Sequence, residues 1–189
     1  MEELKRRILA EGENLGRGIL KIDSFLNHQI DTHLMFRVGQ EMGTHFKDSG
    51  VTKVMTAEIS GIAPALSTGY ALDVPVLYAR KTRPATMTGP LYVEMAPSHT
   101  KGGDEFLMVA AEFLGPEDRV LVVDDFLASG LTIEALVRLV QHASATLVGI
   151  AAVVEKKFEH GREELEHLNV PIVTLAAITD MTNGKIVLE

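Results

Sequence analysis

Four consecutive apolar residues, Val120–Val123, run directly into two carboxylates, Asp124 and Asp125, and the stretch from Val120 to Thr132 constrains the fold more than any other part of the chain. Unbroken hydrophobicity of this length fits a strand buried on both faces, as in a parallel sheet covered by helices. The small residues Ala128, Ser129 and Gly130 then make a turn, and Leu131 to His142 carries apolar residues at helical spacing. Strand, tight turn and helix in that order form part of a β-α-β unit. In an open α/β sheet, ligands bind in the crevice beyond the C-terminal strand ends. The turn offers backbone N–H groups and a helix N-terminus to an anion, while the paired acids suit hydroxyls or a metal ion. A phosphate beside a diol describes a sugar phosphate.

The rest of the chain predicts the same class, α/β with a mainly parallel central sheet flanked by helices, in a single domain spanning 1–189. Leu4, Ile8 and Leu9 predict a short N-terminal helix ended by Gly16 and Gly18, with an irregular stretch over 19–29. Asp31 is placed to cap a second helix, whose Leu34, Val38, Met42 and His45/Phe46 recur at helical spacing. One β-α-β unit is predicted from strand Lys53–Ala57, helix Ile62–Leu72 and strand Val74–Ala79. The opening motif, its helix and a strand at Thr146–Val154 make a second. Between them lies a polar excursion from Arg80 to Asp104, with one strand-like piece at Leu91–Met95; Phe106–Phe113 then reads as a strand. Glu159–Leu168 reads as helix, and Ile172–Ala176 and Ile186–Leu188 as late strands.

Composition excludes several functions. There is no cysteine, so neither disulfides nor a thiolate metal site can form. With 18 basic and 26 acidic residues the net charge is −8, which argues against a broad nucleic-acid surface. It leaves room for an anionic small ligand held by a few placed cations and amides. No apolar run approaches a membrane span, and the charged first residues lack the apolar core of a secretory signal. A cytoplasmic protein with no membrane partner is expected.

Other candidate sites each have a plainer reading. Glu58–Pro64 is either an ordinary strand-to-helix turn capped by Ser60, or a second anion cradle around Ser60 and Gly61 opening on the same side of the sheet. Arg80, Lys81 and Arg83 are either solvated or anion contacts; their place at the root of the excursion favours contact, for Arg80 and Lys81 above Arg83. Asn27 reads as a turn residue and Lys156 as a solvated strand end unless a ligand lies between them. The seven histidines show no metal-ligand spacing, and His28 reads as a surface residue.

The thirteen-residue run Val120–Thr132 resembles the phosphoribosyl pyrophosphate (PRPP) signature of the type I phosphoribosyltransferases. That resemblance implies a flexible hood loop and a small base-binding hood on the α/β core. It implies that Asp124 and Asp125 face the ribose hydroxyls, and that Ala128, Ser129, Gly130, Leu131 and Thr132 wrap the 5′-phosphate. Ser60 and Gly61 would meet pyrophosphate, with Arg80 and Lys81 nearby. Leu131 departs from the pattern, since many members have a second small residue there.

The segments Lys21–Asp31, Val154–Phe158 and Gly161–Leu165, with Ser60–Pro64, Ala79–Lys81 and Asp124–Ala128, are similar to the bacterial, xanthine-using branch of that family over nearly the whole chain. This implies purine salvage: transfer of 5-phosphoribosyl from PRPP to N9 of xanthine, giving xanthosine monophosphate and pyrophosphate. Leu20 and Asn27 would contact the purine, and Lys156 a base carbonyl, with the segments 1–30 and beyond 155 forming the base-binding hood. Mg²⁺ would accompany PRPP mainly through the substrate's own oxygens, and a homodimer is implied. Xanthine offers a 2-oxo acceptor where guanine has an amino donor, so an ammonium in a desolvated pocket can discriminate. The alternatives are a transferase for hypoxanthine/guanine or adenine, or a non-catalytic purine- or PRPP-sensing regulator on the same fold.

Overall fold

The computed structural model of the protein describes residues 1–97 and 104–189. Its elements in chain order are α1 (Glu2–Glu11), β1 (Glu13–Asn14), β2 (Leu20–Lys21), α2 (Thr32–Phe46), β3 (Lys53–Ala57), α3 (Ile62–Leu72), β4 (Val76–Ala79), β5 (Leu91–Pro97), β6 (Asp104–Ala110), β7 (Arg119–Leu127), α4 (Leu131–His142), β8 (Thr146–Lys156), α5 (Gly161–Leu165), β9 (Ile172–Asp180) and β10 (Val187–Leu188). Six strands form the central sheet in the order β10-β9-β8-β7-β3-β4. All are parallel except β10, which runs antiparallel to β9 at one edge.

β7 shows why the sheet is covered on both faces. Leu121 and Val123 point into one buried cluster with Leu34, Val38, Met42 and Phe46 of α2. Val120 and Val122 point into the other, with Ile133, Leu136 and Val140 of α4. Successive side chains alternate across a strand, so a run with no polar interruption needs apolar neighbours on both sides. Asp31 caps α2 by accepting the Leu34 N–H at 3.0 Å.

Several boundaries differ from expectation, each for a local reason. α1 stops at Gly12, whose N–H closes the last turn on the Ile8 carbonyl at 2.9 Å. Gly16 and Gly18 instead take positive φ (82° and 74°) in the turn that joins β1 to β2. The irregular stretch contains β2 and a π-helical turn at Asp23–Asn27. Left-handed Asp73 ends α3 and Val74 N–H returns to Gly69, so β4 begins only at Val76. β8 and β9 outrun their apolar cores because their parallel register continues to Lys156 opposite Ile178. The predicted helix Glu159–Leu168 is broken by left-handed His160, leaving α5 between two short 3₁₀ turns.

The polar excursion contributes β5 to a pair of antiparallel strands. β5 and β6 pair antiparallel from Leu91 opposite Ala110 to Pro97 opposite Asp104, and Ala111–Phe113 continues as a 3₁₀ turn rather than as strand. Leu107 and Val109 are buried with α4, and Arg138 ties α4 to Glu94 at 2.8 Å. Arg80, just after β4, exchanges backbone hydrogen bonds with Met108 at 2.9 Å in both directions. Lys101, part of the expected basic excursion, lies outside the described residues.

α2 and α3 approach closely at Gly39. A Cβ there would lie 2.3 Å from the Ser67 carbonyl carbon and 2.4 Å from its oxygen. Backbone cannot yield as a flexible side chain does, so Gly39→Ala is expected to destabilise the chain by about 1–3 kcal/mol. Urea unfolding checks this; an unchanged midpoint would show that the helices separate freely.

Candidate functional site

Because β3 and β7 are adjacent and parallel, the turns after them open at the same edge of the sheet. Asp124 and Asp125 lie in the last part of β7, Ala128–Gly130 follow it, and α4 starts at Leu131. Gly130 is the N-cap of α4 with φ 81°, and no side chain caps the helix. A residue with a Cβ would be strained there, and the start of α4, without a side-chain cap, lines the crevice through Gly130, Leu131 and Thr132. After β3, the turn Glu58–Gly61 leads into α3, whose N-cap is Gly61, again with no side-chain cap. Ser60 therefore does not play the capping role of the plainer reading.

The two turns touch. A Cβ on Gly61 would lie 2.7 Å from Asp124 Oδ1 and 2.2 Å from Thr56 Oγ1, so only glycine lets the second turn approach the acid pair. Asp124 is buried, at 7% exposure, and accepts the Asp125 N–H at 3.0 Å. Burial pushes its carboxyl well above the usual range, and the neighbouring Asp125 adds to the rise; Lys81 acts in the opposite direction.

A cleft of about 1010 Å³ extends from this edge. It is lined by Asp124, Asp125 and the Ala128–Thr132 loop on one side, and by Leu20, Asn27 and Lys156 on the other. Asn27 Nδ2 donates to Asp125 Oδ2 at 2.6 Å, so the segment before α2 meets the end of β7 directly. Lys156 Nζ donates to the Gly18 carbonyl at 2.8 Å, pairs with Glu159 at 3.3 Å and lies 5.2 Å from the centre of the Phe126 ring. Residues separated by more than a hundred positions thus converge on one opening.

Arg80 and Lys81 do not line that cleft; they flank the Gly61 side. Glu58 holds both, with Arg80 Nε 2.9 Å from Oε2 and the Lys81 N–H donating to Oε1 at 2.6 Å. The Lys81 ammonium pairs with Glu105 at 2.7 Å. Arg83 turns away and donates to the Met87 carbonyl, and His28 is exposed. Among the described residues no group of three or more His, Asp or Glu side chains is arranged to hold a metal ion.

Sequence reasoning missed two features. Arg17, Asp23, Phe158 and Glu159 also line the cleft, brought there by the β1–β2 turn, the π-helical turn and the 3₁₀ turn after β8. Gly161 backs the Ala128–Gly130 loop from outside: its N–H donates to the Ala128 carbonyl at 2.9 Å, and a Cβ would meet Ala128 O at 2.1 Å and Gly130 N at 2.6 Å. A glycine beginning a helix was the only local signal, and it does not reveal what lies against it.

A family model for the phosphoribosyl transferase domain matches residues 40–183. The chain belongs to the phosphoribosyltransferase family. Similarity runs well past that match. The phosphoribosyltransferase is 46% identical over 186 residues to a xanthine phosphoribosyltransferase of Bacillus licheniformis, covering 98% of this chain and 96% of the relative. It is 48% identical over 184 residues to a xanthine phosphoribosyltransferase of Deinococcus deserti, covering 97% and 95%. Among solved structures, the adenine phosphoribosyltransferase of Rhodothermus marinus superposes with a TM-score of 0.73 at 27% identity, covering 94% of this chain and 97% of that one. Both xanthine-type relatives align almost end to end with the phosphoribosyltransferase, so the alignments take in Leu20 and Asn27, which lie before the family match.

The acid pair has a consequence for stability. A carboxyl whose pKa rises on folding favours the protonated folded state, so stability is lost as pH climbs above the ordinary aspartate value of 3.8. Asp124→Asn is therefore expected to raise the melting temperature at pH 7–8, with the gain shrinking as pH falls towards 4. Thermal melts across that range check the sign; a variant less stable at neutral pH would contradict it.

Proposed function

We propose that the protein is a purine salvage enzyme that transfers the 5-phosphoribosyl group from PRPP to N9 of xanthine, releasing xanthosine 5′-monophosphate and pyrophosphate. The observation that carries the reading is the convergence of Asn27 and Lys156 on the Asp124–Asp125 pair, beside an uncapped anion turn. End-to-end likeness to xanthine phosphoribosyltransferases supports the choice of base.

In this proposal the roles come from the chemistry of each group. Asp124 and Asp125 accept hydrogen bonds from the ribose hydroxyls. The amides and hydroxyls of Ala128, Ser129, Gly130, Leu131 and Thr132 hold the 5′-phosphate, for which Gly130 supplies the backbone shape. Ser60 and Gly61 face the pyrophosphate, with Arg80 and Lys81 adding positive charge. Leu20 packs against the purine, Asn27 meets its polar edge, and Lys156 donates to a carbonyl. The segments 1–30 and beyond 155 act within a single domain as the hood over the base. Leu20, Ile22, Phe25 and Leu26 share a buried cluster with Leu175, Ile178 and Met181, which gives that hood a firm base.

Departure of pyrophosphate leaves an oxocarbenium-like sugar, so catalysis rests on positioning and on stabilising charge. Mg²⁺ enters with PRPP and neutralises pyrophosphate; one or two carboxylates plus substrate oxygens suffice for it, which fits a site with a single acid pair. A hood closed over the site would exclude the water that competes for the sugar.

A homodimer belongs to the same proposal. Leu66 and Tyr70 stand exposed on one face of α3, with Phe36 of α2 against Tyr70 (ring centres 6.1 Å apart) and Ile59 80% exposed just ahead of the helix. Such an apolar surface is suited to a second copy. A cytoplasmic setting fits the substrate, since a polyanion such as PRPP stays in the compartment that makes it.

Purified protein with PRPP and Mg²⁺ is expected to release pyrophosphate fastest with xanthine among xanthine, guanine, hypoxanthine and adenine. No release with any base would sink the enzyme reading; preference for another base would sink the substrate alone. Lys156→Met is expected to cut kcat/KM for xanthine by about a hundredfold or more while affecting hypoxanthine less. Asp124→Asn with Asp125→Asn is expected to abolish measurable PRPP binding, which calorimetry reads directly.

A further inference from the structure

Outside the cleft lining lies an ion pair whose acid is buried and whose arginine is partly exposed, both facing a separate surface pocket. Glu155, at 2% exposure, receives Arg162 through two parallel hydrogen bonds, Nε to Oε1 at 2.8 Å and Nη2 to Oε2 at 2.6 Å. Thr174 Oγ1 donates to Oε2 at 2.7 Å, and Arg162 Nη1 donates to the Ile172 carbonyl at 3.0 Å. Burial alone would push the Glu155 carboxyl up; the Arg162 and Thr174 hydrogen bonds outweigh it and hold the carboxyl below its usual range. With its arginine a third exposed, the pair is weak evidence for stability, because solvent screens its attraction and apolar residues of similar size often do as well. Its place in the chain suggests another use.

Each member of the pair is next to a residue that meets the cleft. Glu155 precedes Lys156, whose ammonium lies in the proposed base pocket. Arg162 comes directly after Gly161, which bonds to Ala128 and leaves no space for a Cβ behind the anion loop. Between them the chain leaves β8, passes a 3₁₀ turn and left-handed His160, and has no regular ladder to fix its path. The Glu155–Arg162 bridge closes that excursion at its root.

We propose that Arg162 and Glu155 are positioning residues, which lock Gly161 against the 5′-phosphate loop and Lys156 into the base pocket as one frame, and so set the spacing between the two ends of the nucleotide. This rests on the phosphoribosyl-transfer reading of the site. Neither residue is assigned contact with substrate; both act through their chain neighbours, as supporting groups do around preorganised sites.

The test uses the full chain and three variants: Glu155→Met with Arg162→Met, the conservative Arg162→Lys, and Gly161→Ala. Exchange of the Gly161 amide hydrogen, read without any ligand, is expected to accelerate about tenfold or more in the double variant. KM for PRPP and KM for xanthine are both expected to rise by about ten- to a hundredfold in the double variant, with kcat per folded molecule changing less. Arg162→Lys is expected to fall between it and the wild type. Gly161→Ala is expected to raise KM for PRPP alone, because it disturbs the loop and leaves Lys156 in place.

If the double variant does not fold, Arg162→Lys carries the same readouts. Activity falling only in proportion to folded protein, with both KM values unchanged, would assign the pair to stability and overturn the inference. Unchanged Gly161 exchange would overturn it as well. A wild type that neither binds PRPP nor transfers to any purine would sink the proposed function instead, and the exchange measurement, which needs no ligand, would still decide the frame.

Discussion

Parallel pairing of β7 with β3 on one side and β8 on the other is the constraint on which the site depends. With Val54 opposite Leu121 and Val122 opposite Ile150, three strands point their C-terminal ends to one edge, β7 and β8 running past the end of β3. The turns after β3 and β7 and the chain leaving β8 must then share that edge. Three kinds of group meet there: the backbone turn at Gly61, an acid pair with its loop, and Lys156. Antiparallel pairing at either neighbour would have sent one of them to the far side of the sheet. Hydrophobic burial fixes the register, since a one-residue slip of β7 would exchange its two buried faces.

The fold was largely legible in the sequence because long apolar strands and amphipathic helices carry their own period. β3, α3 and α4 fall at the predicted residues, and the acid pair and the small turn line a cleft at the strand ends, while Ser60 and Gly61 are not among its lining residues. The misses share a cause. The end of α1 at Gly12, the pairing of the two predicted strands β5 and β6 and the breaking of the segment after β8 all depend on tertiary partners, which local pattern does not encode. Arg80 and Lys81 flank the cleft rather than line it, held by Glu58, a contact that only the β3–β4 pairing creates. Leu20 and Asn27 were found through likeness to a family; their segment has no periodicity of its own, and its place is set by burial of Ile22, Phe25 and Leu26.

The electrostatics of the site work against the fold that carries it. A buried Asp124 beside Asp125 disfavours the ionised form in the empty chain, and Lys81 offsets only part of that. Groups whose ionisation is disfavoured in a cleft are frequent where ligands bind, because a partner that satisfies them recovers what folding gave up. Asn27 already satisfies one oxygen of Asp125. The segment before α2 and the end of β7 therefore share a hydrogen bond, and neither can be altered in isolation.

The contact at Gly39 bears on entropy as well as on packing. α3 starts at the anion turn, and where it crosses α2 the backbones meet with no side chain between them. Interposed side chains can change rotamer and let helices slide; backbone against backbone leaves no such slack. The turn at Gly61 is thus carried on an element whose position is settled before binding. In the proposed role of that turn, pyrophosphate has little chain to order, and the conformational cost that a loose loop would meet at each encounter has been met in folding.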